Sequence, residues 1–511
     1  MYALLLSVVV RLYEIKWFIL GLALSQYLAR RVGRAFGNLA RFDGPWLAHV
    51  SDLWLLKTIY QQRAHYVFYD IKKKYGKLAR IGTNKLITCD IELVTRMNAP
   101  RSEYKRSDWY LGFRLAPGID NVGSLRDEKE HTKRRAQMSP GYTGRDGIDF
   151  ETTIDKHVEN FIHLIRTKYL STTTSFKTMD LAEKAQFFTI DVITDLATGA
   201  PFGDLTSDAD QHEYLRTATE AQPAFVMISS IPALTKIIQI PIIGKWLFPT
   251  SQDKIGMGKM MGIAEEKIAE RFDPDSRRRL EKSDIMQSFI DNGLTQQETL
   301  SESLLMMLAG SDTTASAIRA TMLCILTSPL TYQKLQAEID TASLSKPVVR
   351  DAEARKLVYL QAVILEGLRM HPPPGGLLPR VAPPDGDLFN GEYLPGGVEI
   401  GVNTWGMLRD EDLFGPDPEM FRPERWLEIE EWRYAEMARV VGLAFGSGRF
   451  KCLGRGVALM ELNKIIIEFM RNFDWAVVDP TKPWKEANVG IILQREFFVR
   501  VTERSPRNIL S

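Results

Sequence analysis

The stretch Phe445-Gly446-Ser447-Gly448-Arg449-Phe450-Lys451-Cys452-Leu453-Gly454 decides how this chain is interpreted. Its first glycines allow a tight loop in which the backbone can approach a flat ligand closely. Cys452 then stands at the start of a segment whose apolar spacing, over residues 453–473, predicts a helix. The positive end of that helix favours a thiolate. The stretch therefore predicts a metal-ligating cysteine, the alternative being a small buried residue.

The composition describes an ordinary globular protein. The 511 residues are 45% hydrophobic and 25% charged, with a formal net charge of +1. No global field attracts nucleic acid, so nucleic-acid binding is not predicted. The only cysteines, Cys89, Cys324 and Cys452, are widely spaced. This spacing argues against a disulfide scaffold and a zinc cluster, and it fits a reducing compartment.

A long predicted helix carries a second group of functional candidates. Thr295-x-x-Glu298 is a capping box, and helical spacing continues to about residue 327. Residues 309–314 (AGSDTT) place polar side chains after an apolar run. Buried polar groups need partners, so Asp312 and Thr313 are either hydrogen-bonded or employed in proton transfer. The alternative is a threonine pair that bonds back to helix carbonyls.

A third motif, Glu366-x-x-Arg369, places opposite charges one helical turn apart inside an apolar segment, residues 360–368. On a surface such a pair is worth roughly 0–1 kcal/mol. The apolar surroundings instead predict burial with a third partner. His371 lies in the proline-rich turn that follows, and we interpret it as a satisfied turn histidine rather than a metal ligand. Further along the chain, residues 398–405 predict a strand.

These motifs together resemble the cytochrome P-450 superfamily. The loop before Cys452 is similar to the haem-binding loop of that family, and residues 309–314 to its oxygen-activation groove. Arg425, from residues 421–426 (FRPERW), matches the arginine that joins the charged pair of the third motif. The resemblance covers nearly the whole chain and implies a mainly α fold with minor β-sheets (α+β).

The resemblance also implies the cofactor contacts. Cys452 would ligate the iron of haem b, and the further haem contacts would be Phe445, Gly448, His131, Arg135 and Arg380, the last three toward the propionates. Phe450 departs from the pattern, because the family commonly has a basic residue there. An aromatic residue at this place resembles the filamentous-fungal, pisatin demethylase-like members, and it puts more weight on the other propionate donors.

The activity implied is insertion of one atom of O2 into a substrate, with Asp312 and Thr313 delivering protons. Electrons would come from NADPH through a separate NADPH-cytochrome P-450 reductase, since the chain has no nucleotide-binding glycine fingerprint. Lys133, Arg134, Lys451 and Arg455 predict a basic patch on the cysteine side of the haem, which is either a docking site for an acidic reductase or a solvated face. The implied pocket segments are mostly apolar and predict a neutral lipophilic small molecule: residues 121–125, 304–308, 375–378 and 489–492. Fungal secondary-metabolite biosynthesis is the implied setting. A haem-thiolate isomerase or dehydratase, and a non-catalytic haem protein, are the alternatives, and neither needs the acid–threonine pair.

Residues 1–34 predict an N-terminal membrane anchor. Two apolar runs, residues 2–10 and 17–24, are separated by three charged residues and followed by three arginines. The arginines would keep one catalytic domain, residues 35–511, on the cytoplasmic side of the endoplasmic reticulum membrane. A cleaved signal peptide is the alternative. Residues 229–249, apolar and proline-containing, predict either a core loop or a surface that dips into the bilayer.

Overall fold

The computed structural model describes residues 37–254, 256–273 and 283–504, with Ser25 and Gly33 as isolated positions. The predicted anchor, residues 1–34, lies outside the described residues apart from those two positions. No single helix in the described part of the chain is long and apolar enough to cross a membrane.

Helices dominate the described chain. Many begin at an aspartate that accepts hydrogen bonds from the first backbone amides, as Asp127, Asp149 and Asp180 do. The first helices are α1 (Trp46–Val50), α2 (Leu53–Tyr60), α3 (Ala64–Tyr75), α4 (Ile91–Met97), α5 (Glu128–Thr143), α6 (Phe150–Leu164), α7 (Leu181–Thr198), α8 (Asp204–Ser207), α9 (Tyr214–Ser229), α10 (Pro232–Ile238), α11 (Pro241–Leu247) and α12 (Gly256–Phe272). They continue as α13 (Ile285–Asp291), α14 (Gln296–Leu326), α15 (Pro329–Thr341), α16 (Asp351–Ala354), α17 (Val358–Met370), α18 (Thr404–Met407), α19 (Glu411–Phe414), α20 (Glu431–Gly442) and α21 (Arg455–Asn472).

The strands form small sheets beside the helices. They are β1 (Leu78–Gly82), β2 (Lys85–Thr88), β3 (Lys105–Arg106), β4 (Leu170–Ser171), β5 (Met179–Asp180), β6 (Arg380–Val381), β7 (Asp387–Phe389), β8 (Glu392–Leu394), β9 (Glu399–Val402), β10 (Phe473–Val477), β11 (Lys485–Asn488), β12 (Ile492–Arg495) and β13 (Phe498–Glu503). The largest sheet has the order β1-β2-β9-β6-β3, a second has the order β10-β13-β4 with β5 also paired to β13, and β7–β8 and β11–β12 are hairpins. The prediction of a mainly α fold with minor sheets is confirmed.

Helix α14 is the central element. It begins as predicted, because Thr295 and Glu298 form the reciprocal capping box, and it ends before Ser328-Pro329. It packs against α7, α12, α17 and α21, so most of its side chains are buried. This packing brings residues 309–314 into the interior.

The predicted charge cluster is also present. The Glu366 carboxylate accepts hydrogen bonds from Arg369 Nη2 at 2.8 Å and from Arg425 Nε at 2.8 Å. All three side chains are fully buried. Trp426 Nε1 donates to the same carboxylate. Removing one partner of such a buried set leaves uncompensated charge, so the cluster stabilises the segment that leads to the cysteine loop.

Two local predictions are corrected by the structure. The strand expected from Val398 to Trp405 ends at Val402, because the Asn403 side chain accepts from Gly406 N and starts α18. Residues 229–249 form no core loop. Pro232 and Pro241 are the first residues of the short helices α10 and α11, as expected where the missing N–H costs nothing.

Candidate active site

The loop before α21 presents Cys452 outward. Its backbone N–H donates to Phe445 O at 2.6 Å, which closes the loop. Gly446 has φ +71°, and a Cβ there would lie 2.6 Å from Phe450 O. Gly448 has φ +57°, and a Cβ there would lie 2.5 Å from Asn98 O. Both glycines are therefore required by conformation and by close approach, and the Cys452 side chain remains exposed.

The charge state of Cys452 depends on opposing effects. Although the side chain reaches solvent on one side, the protein packed around it desolvates the thiol and raises its pKa, whereas the backbone N–H groups of Gly454 and Arg455 and the charge of Arg135 lower it. The helix start therefore acts in the predicted direction, but the desolvation effect is larger. A cation bound at the sulfur would favour the thiolate further.

One side of α14 is open at residues 309–313, although most of this helix is buried. Ala309 is exposed and Thr313 is half-buried. The Thr313 hydroxyl donates to Ala309 O at 2.8 Å. This is the bond back to a helix carbonyl that the sequence predicts as the alternative for this threonine. Because the hydroxyl hydrogen is used, the oxygen lone pairs remain available as acceptors on the open side.

Asp312 points in a different direction from Thr313, since consecutive helix residues are about 100° apart. Its Oδ1 accepts from Gln186 Nε2 at 2.7 Å and from Tyr214 OH at 3.1 Å, and Gln222 Nε2 donates to Oδ2. Burial raises the pKa of Asp312. The carboxyl therefore binds a proton at higher pH than an exposed aspartate would, and it is held by α7 and α9.

Three arginines and one histidine meet beside the cysteine loop. Strands β3 and β6 pair Arg106 with Arg380, so their side chains lie together. The guanidinium carbon of Arg380 is 3.9 Å from the centroid of the Phe450 ring, and that of Arg106 is 4.5 Å away. The His131 ring lies 4.9 Å from the same ring. Arg135 is close enough to act electrostatically on both His131 and Cys452.

This cation cluster has little negative charge to balance it. Arg106 donates to three backbone carbonyls and Arg380 to the Asn98 amide oxygen, so neither has a carboxylate partner among the described residues. Arg106 Nε, Arg380 Nη1 and His131 Nδ1 are buried without a hydrogen-bond partner in the same part of the chain. Unpaired buried donors are costly, so the cluster fits an anionic ligand.

Burial and neighbouring charges lower the pKa values of His131 and Arg106, and these shifts indicate the charge on each side chain. Burial, followed by the charges of Arg106 and Arg135, lowers the pKa of His131 to about 3. His131 is therefore a neutral hydrogen-bond donor at physiological pH. Burial also lowers the pKa of Arg106 to about 10, with Arg380 and Arg135 contributing. A ligand with two carboxylates, a flat apolar body and a metal at its centre fits the cations, the Phe450 ring and the Cys452 sulfur together, as a haem does.

The structure brings together most of the residues predicted for the site and adds others. Cys452, Phe445 and Gly448 share one loop, and His131, Arg135 and Arg380 surround it. Thr313 lies on the open side of α14, and Asp312 faces α7 and α9 instead. The sequence did not predict four further residues near the site, since none of them lies in a motif: Arg106, Gln186, Tyr214 and Gln222. Of the predicted pocket segments, residues 121–125 and 304–308 meet each other, because a Cβ on Gly123 would lie 3.2 Å from Leu305.

Comparison with known proteins identifies the family of the chain. A sequence model of the family described as Cytochrome P450 matches residues 45–498. The chain therefore belongs to the cytochrome P450 family, whose members carry thiolate-ligated haem iron and receive electrons from a redox partner. The predicted monooxygenase class is confirmed.

Similar proteins come from fungi. Cytochrome P450 monooxygenase ABA1 of Pyricularia oryzae is 40% identical over 94% of this chain and 95% of its own length. Cytochrome P450 monooxygenase aba1 of Botryotinia fuckeliana is 41% identical over 90% of each chain. Pisatin demethylase of Fusarium vanettenii is 27% identical over 88% of each chain, in line with the predicted resemblance.

Proposed function

We propose that residues 35–511 form a haem b monooxygenase domain with Cys452 as the axial iron ligand. The observation that carries this proposal is the cysteine loop beside an unbalanced cation cluster. Arg106, Arg135 and Arg380 would bind the propionates, with His131 as a neutral donor, and Phe445 and Gly448 would contact the haem from the loop. When bound, the haem supplies the redox chemistry by which one atom of O2 enters the substrate.

Asp312 and Thr313 are proposed to deliver the protons. The Thr313 oxygen can accept a hydrogen bond on the open side of α14, which orders a proton donor there. The Asp312 carboxyl, with its raised pKa, is the nearest proton reservoir along the helix. To supply Thr313, its side chain must first leave Gln186, Tyr214 and Gln222. The hydrogen bonds at Asp312 therefore hold its carboxyl group away from the open side of α14. Proton delivery then requires a change in the side-chain conformation of Asp312.

Replacing Thr313 with alanine tests this assignment. We expect Thr313→Ala to keep consuming NADPH with reductase while the product formed per NADPH falls at least about tenfold, because ordered proton delivery is lost. Hydrogen peroxide should account for the missing electrons. The three quantities are measured together with a turned-over substrate. Thr314→Ala, at a buried neighbour on another face, serves as control, and an unchanged product yield in Thr313→Ala would contradict the assignment.

The substrate is proposed to be a neutral lipophilic molecule. A pocket between α2–α3, α9 and the tip of the β11–β12 hairpin, here named the hairpin pocket, has no charged residue in its lining. Its lining includes Phe68, Trp109, Val226, Leu377 and Gly490. Such a surface binds apolar groups by desolvation rather than by charge. The fungal relatives support a role in secondary-metabolite biosynthesis.

Electrons are proposed to come from NADPH through a separate cytochrome P-450 reductase that docks on the side of the cysteine loop. Lys133 and Lys451 are exposed there, and Arg455 is half-buried. Arg134, considered for the same basic patch, turns inward and pairs with Glu302 at 2.7 Å. The patch is therefore smaller than the sequence predicts. An acidic reductase surface would still be steered toward it.

The protein is proposed to sit on the endoplasmic reticulum membrane, anchored by residues 1–34. Large apolar side chains are exposed on α1, α2 and α11: Trp46, Leu53, Tyr60, Ile242 and Trp246. Helix α9 packs on α2 and on α10, and α10 packs on α11, so these helices form a continuous series. Apolar side chains on such short helices suit the interfacial zone of a bilayer, which supports the membrane-dipping alternative for residues 229–249.

Deleting residues 1–32 should weaken membrane attachment without removing it. We expect Ile242→Ser with Trp246→Ser, introduced into the truncated chain, to release most of the remaining protein, since these side chains are 79% and 86% exposed. The matched control is Leu330→Ser with Trp432→Ser, which are 73% and 71% exposed elsewhere. Sedimentation with microsomes measures the bound fraction. A truncated protein wholly soluble without detergent would refute the second contact.

A further inference from the structure

The β11–β12 hairpin closes the hairpin pocket from one side. Its tip residues Asn488 and Gly490 line that pocket together with Gly375 from the turn after α17 and Ala64 from the start of α3. A Cβ on Gly490 would lie 3.0 Å from Val226 of α9, so the tip touches the opposite wall. The position of this hairpin therefore decides the shape of the pocket.

Backbone hydrogen bonds tie the tip to both neighbouring segments. Asn488 N donates to Gln62 O at 2.6 Å, just before α3. Gly375 N donates to Gly490 O, and Ile492 N donates to Pro373 O, both at 2.9 Å. Three separate parts of the chain thus meet at the tip, and all of these hydrogen bonds are between neutral backbone groups.

The Glu486 carboxylate, in strand β11 of the hairpin, lies against the same two neighbouring segments, α3 and the turn after α17. Glu486 Oε1 accepts from His65 Nε2 at 3.0 Å and from Tyr66 OH at 2.9 Å. Glu486 Oε2 lies 3.7 Å from His371 Nδ1, which is too far for a hydrogen bond, and both atoms are buried without a hydrogen-bond partner among the described residues. His65 and Tyr66 belong to α3, and His371 follows α17. Glu486 is two residues from the pocket-lining Asn488.

The residues around Glu486 shield its carboxylate from solvent and keep it ionised. The ring of Trp405 lies 4.6 Å from that of His65 and 5.4 Å from that of His371, and the Glu486 side chain is only 9% exposed. Burial alone would raise the pKa of Glu486, but the His65 hydrogen bond and the neighbouring histidines outweigh it and lower the pKa. A charged acceptor in a low-dielectric setting makes strong hydrogen bonds.

We propose that Glu486 is a positioning residue for the substrate pocket. Its carboxylate fixes the β11–β12 hairpin against α3 through His65 and Tyr66, and so fixes the tip that lines the hairpin pocket. His371, which the sequence predicts to be a satisfied turn histidine, lies beside this carboxylate, but its Nδ1 has no hydrogen-bond partner in the described part of the chain. The structure assigns it, with His65, to the shell around Glu486. This inference rests on the proposed haem monooxygenase function.

The test uses the purified holoenzyme and two probes that bind haem iron through the same nitrogen. Imidazole reports access to the iron, and 1-dodecylimidazole also has to place a long apolar tail. We expect Glu486→Gln to weaken 1-dodecylimidazole binding about tenfold in spectral titrations, because a charge-assisted bond becomes neutral. Imidazole affinity should stay within about twofold of the wild type. Backbone hydrogen exchange should accelerate in residues 485–495.

Two further variants make the outcome decisive. Glu496→Gln, at the exposed pair with Lys485 at the open end of the hairpin, is the matched control and should change neither affinity. Tyr66→Phe removes one donor at a side chain near the surface and should weaken only the dodecyl probe, by about threefold. The proposal is overturned if Glu486→Gln leaves the dodecyl affinity and the hairpin exchange unchanged, or if it weakens both probes equally. A wild-type protein that binds neither probe would instead overturn the proposed function.

Discussion

Cys452→Ser is expected to abolish turnover completely and to remove the thiolate signature from the spectrum of the reduced carbon-monoxide complex. A serine hydroxyl keeps the loop geometry but is a poor ligand for haem iron. The Cys452 side chain is exposed on a loop closed by its own backbone bond to Phe445, so the substitution should leave the fold intact. Absorption spectra and product formation are the measurements.

Cys324→Ala provides the matched control for this experiment. Cys324 is a buried cysteine of α14 whose pKa is raised to about 12 by burial, and it should contribute packing alone. Its variant should keep both the spectrum and the activity. A Cys452→Ser protein with the wild-type carbon-monoxide spectrum would show that another residue ligates the iron.

The second large effect is expected at the cation cluster. Arg135→Gln and Arg380→Gln should each lower the amount of haem bound per protein, and the double variant should be largely free of haem. A buried propionate without a charged partner must pay desolvation or become protonated. Haem per protein is measured after identical purification. Lys133→Gln, an exposed neighbour on the same helix as Arg135, is the control and should bind haem fully.

Phe450 makes this expectation specific to the present chain. Its ring lies against Arg380 and Arg106, where an arginine would be repelled by both. Once Arg380 is replaced by glutamine, that repulsion is reduced, so Phe450→Arg should restore part of the haem content. Full occupancy in the Arg135→Gln, Arg380→Gln double variant would mean that Arg106 and neutral donors are sufficient, contrary to our assignment.

Local and periodic signals were enough to predict the main elements. Thr295 caps the start of helix α14 as expected, because a capping box depends on only four consecutive residues. The charge cluster around Glu366 was predicted through its apolar surroundings and completed by Arg425 through the family resemblance. The strand predicted up to Trp405 was wrong from Asn403 onward, since a side-chain cap there competes with strand pairing.

The sequence by itself determined the chemistry of the site: a glycine loop, a cysteine at a helix start, and a polar run in a long helix. Tertiary structure alone decided which groups surround that chemistry. Arg106 reaches the cluster through strand pairing with Arg380, and Asp312 is turned toward Gln222 by helix packing. Local motifs record short-range geometry, whereas contacts between residues far apart in the chain depend on how the whole core packs.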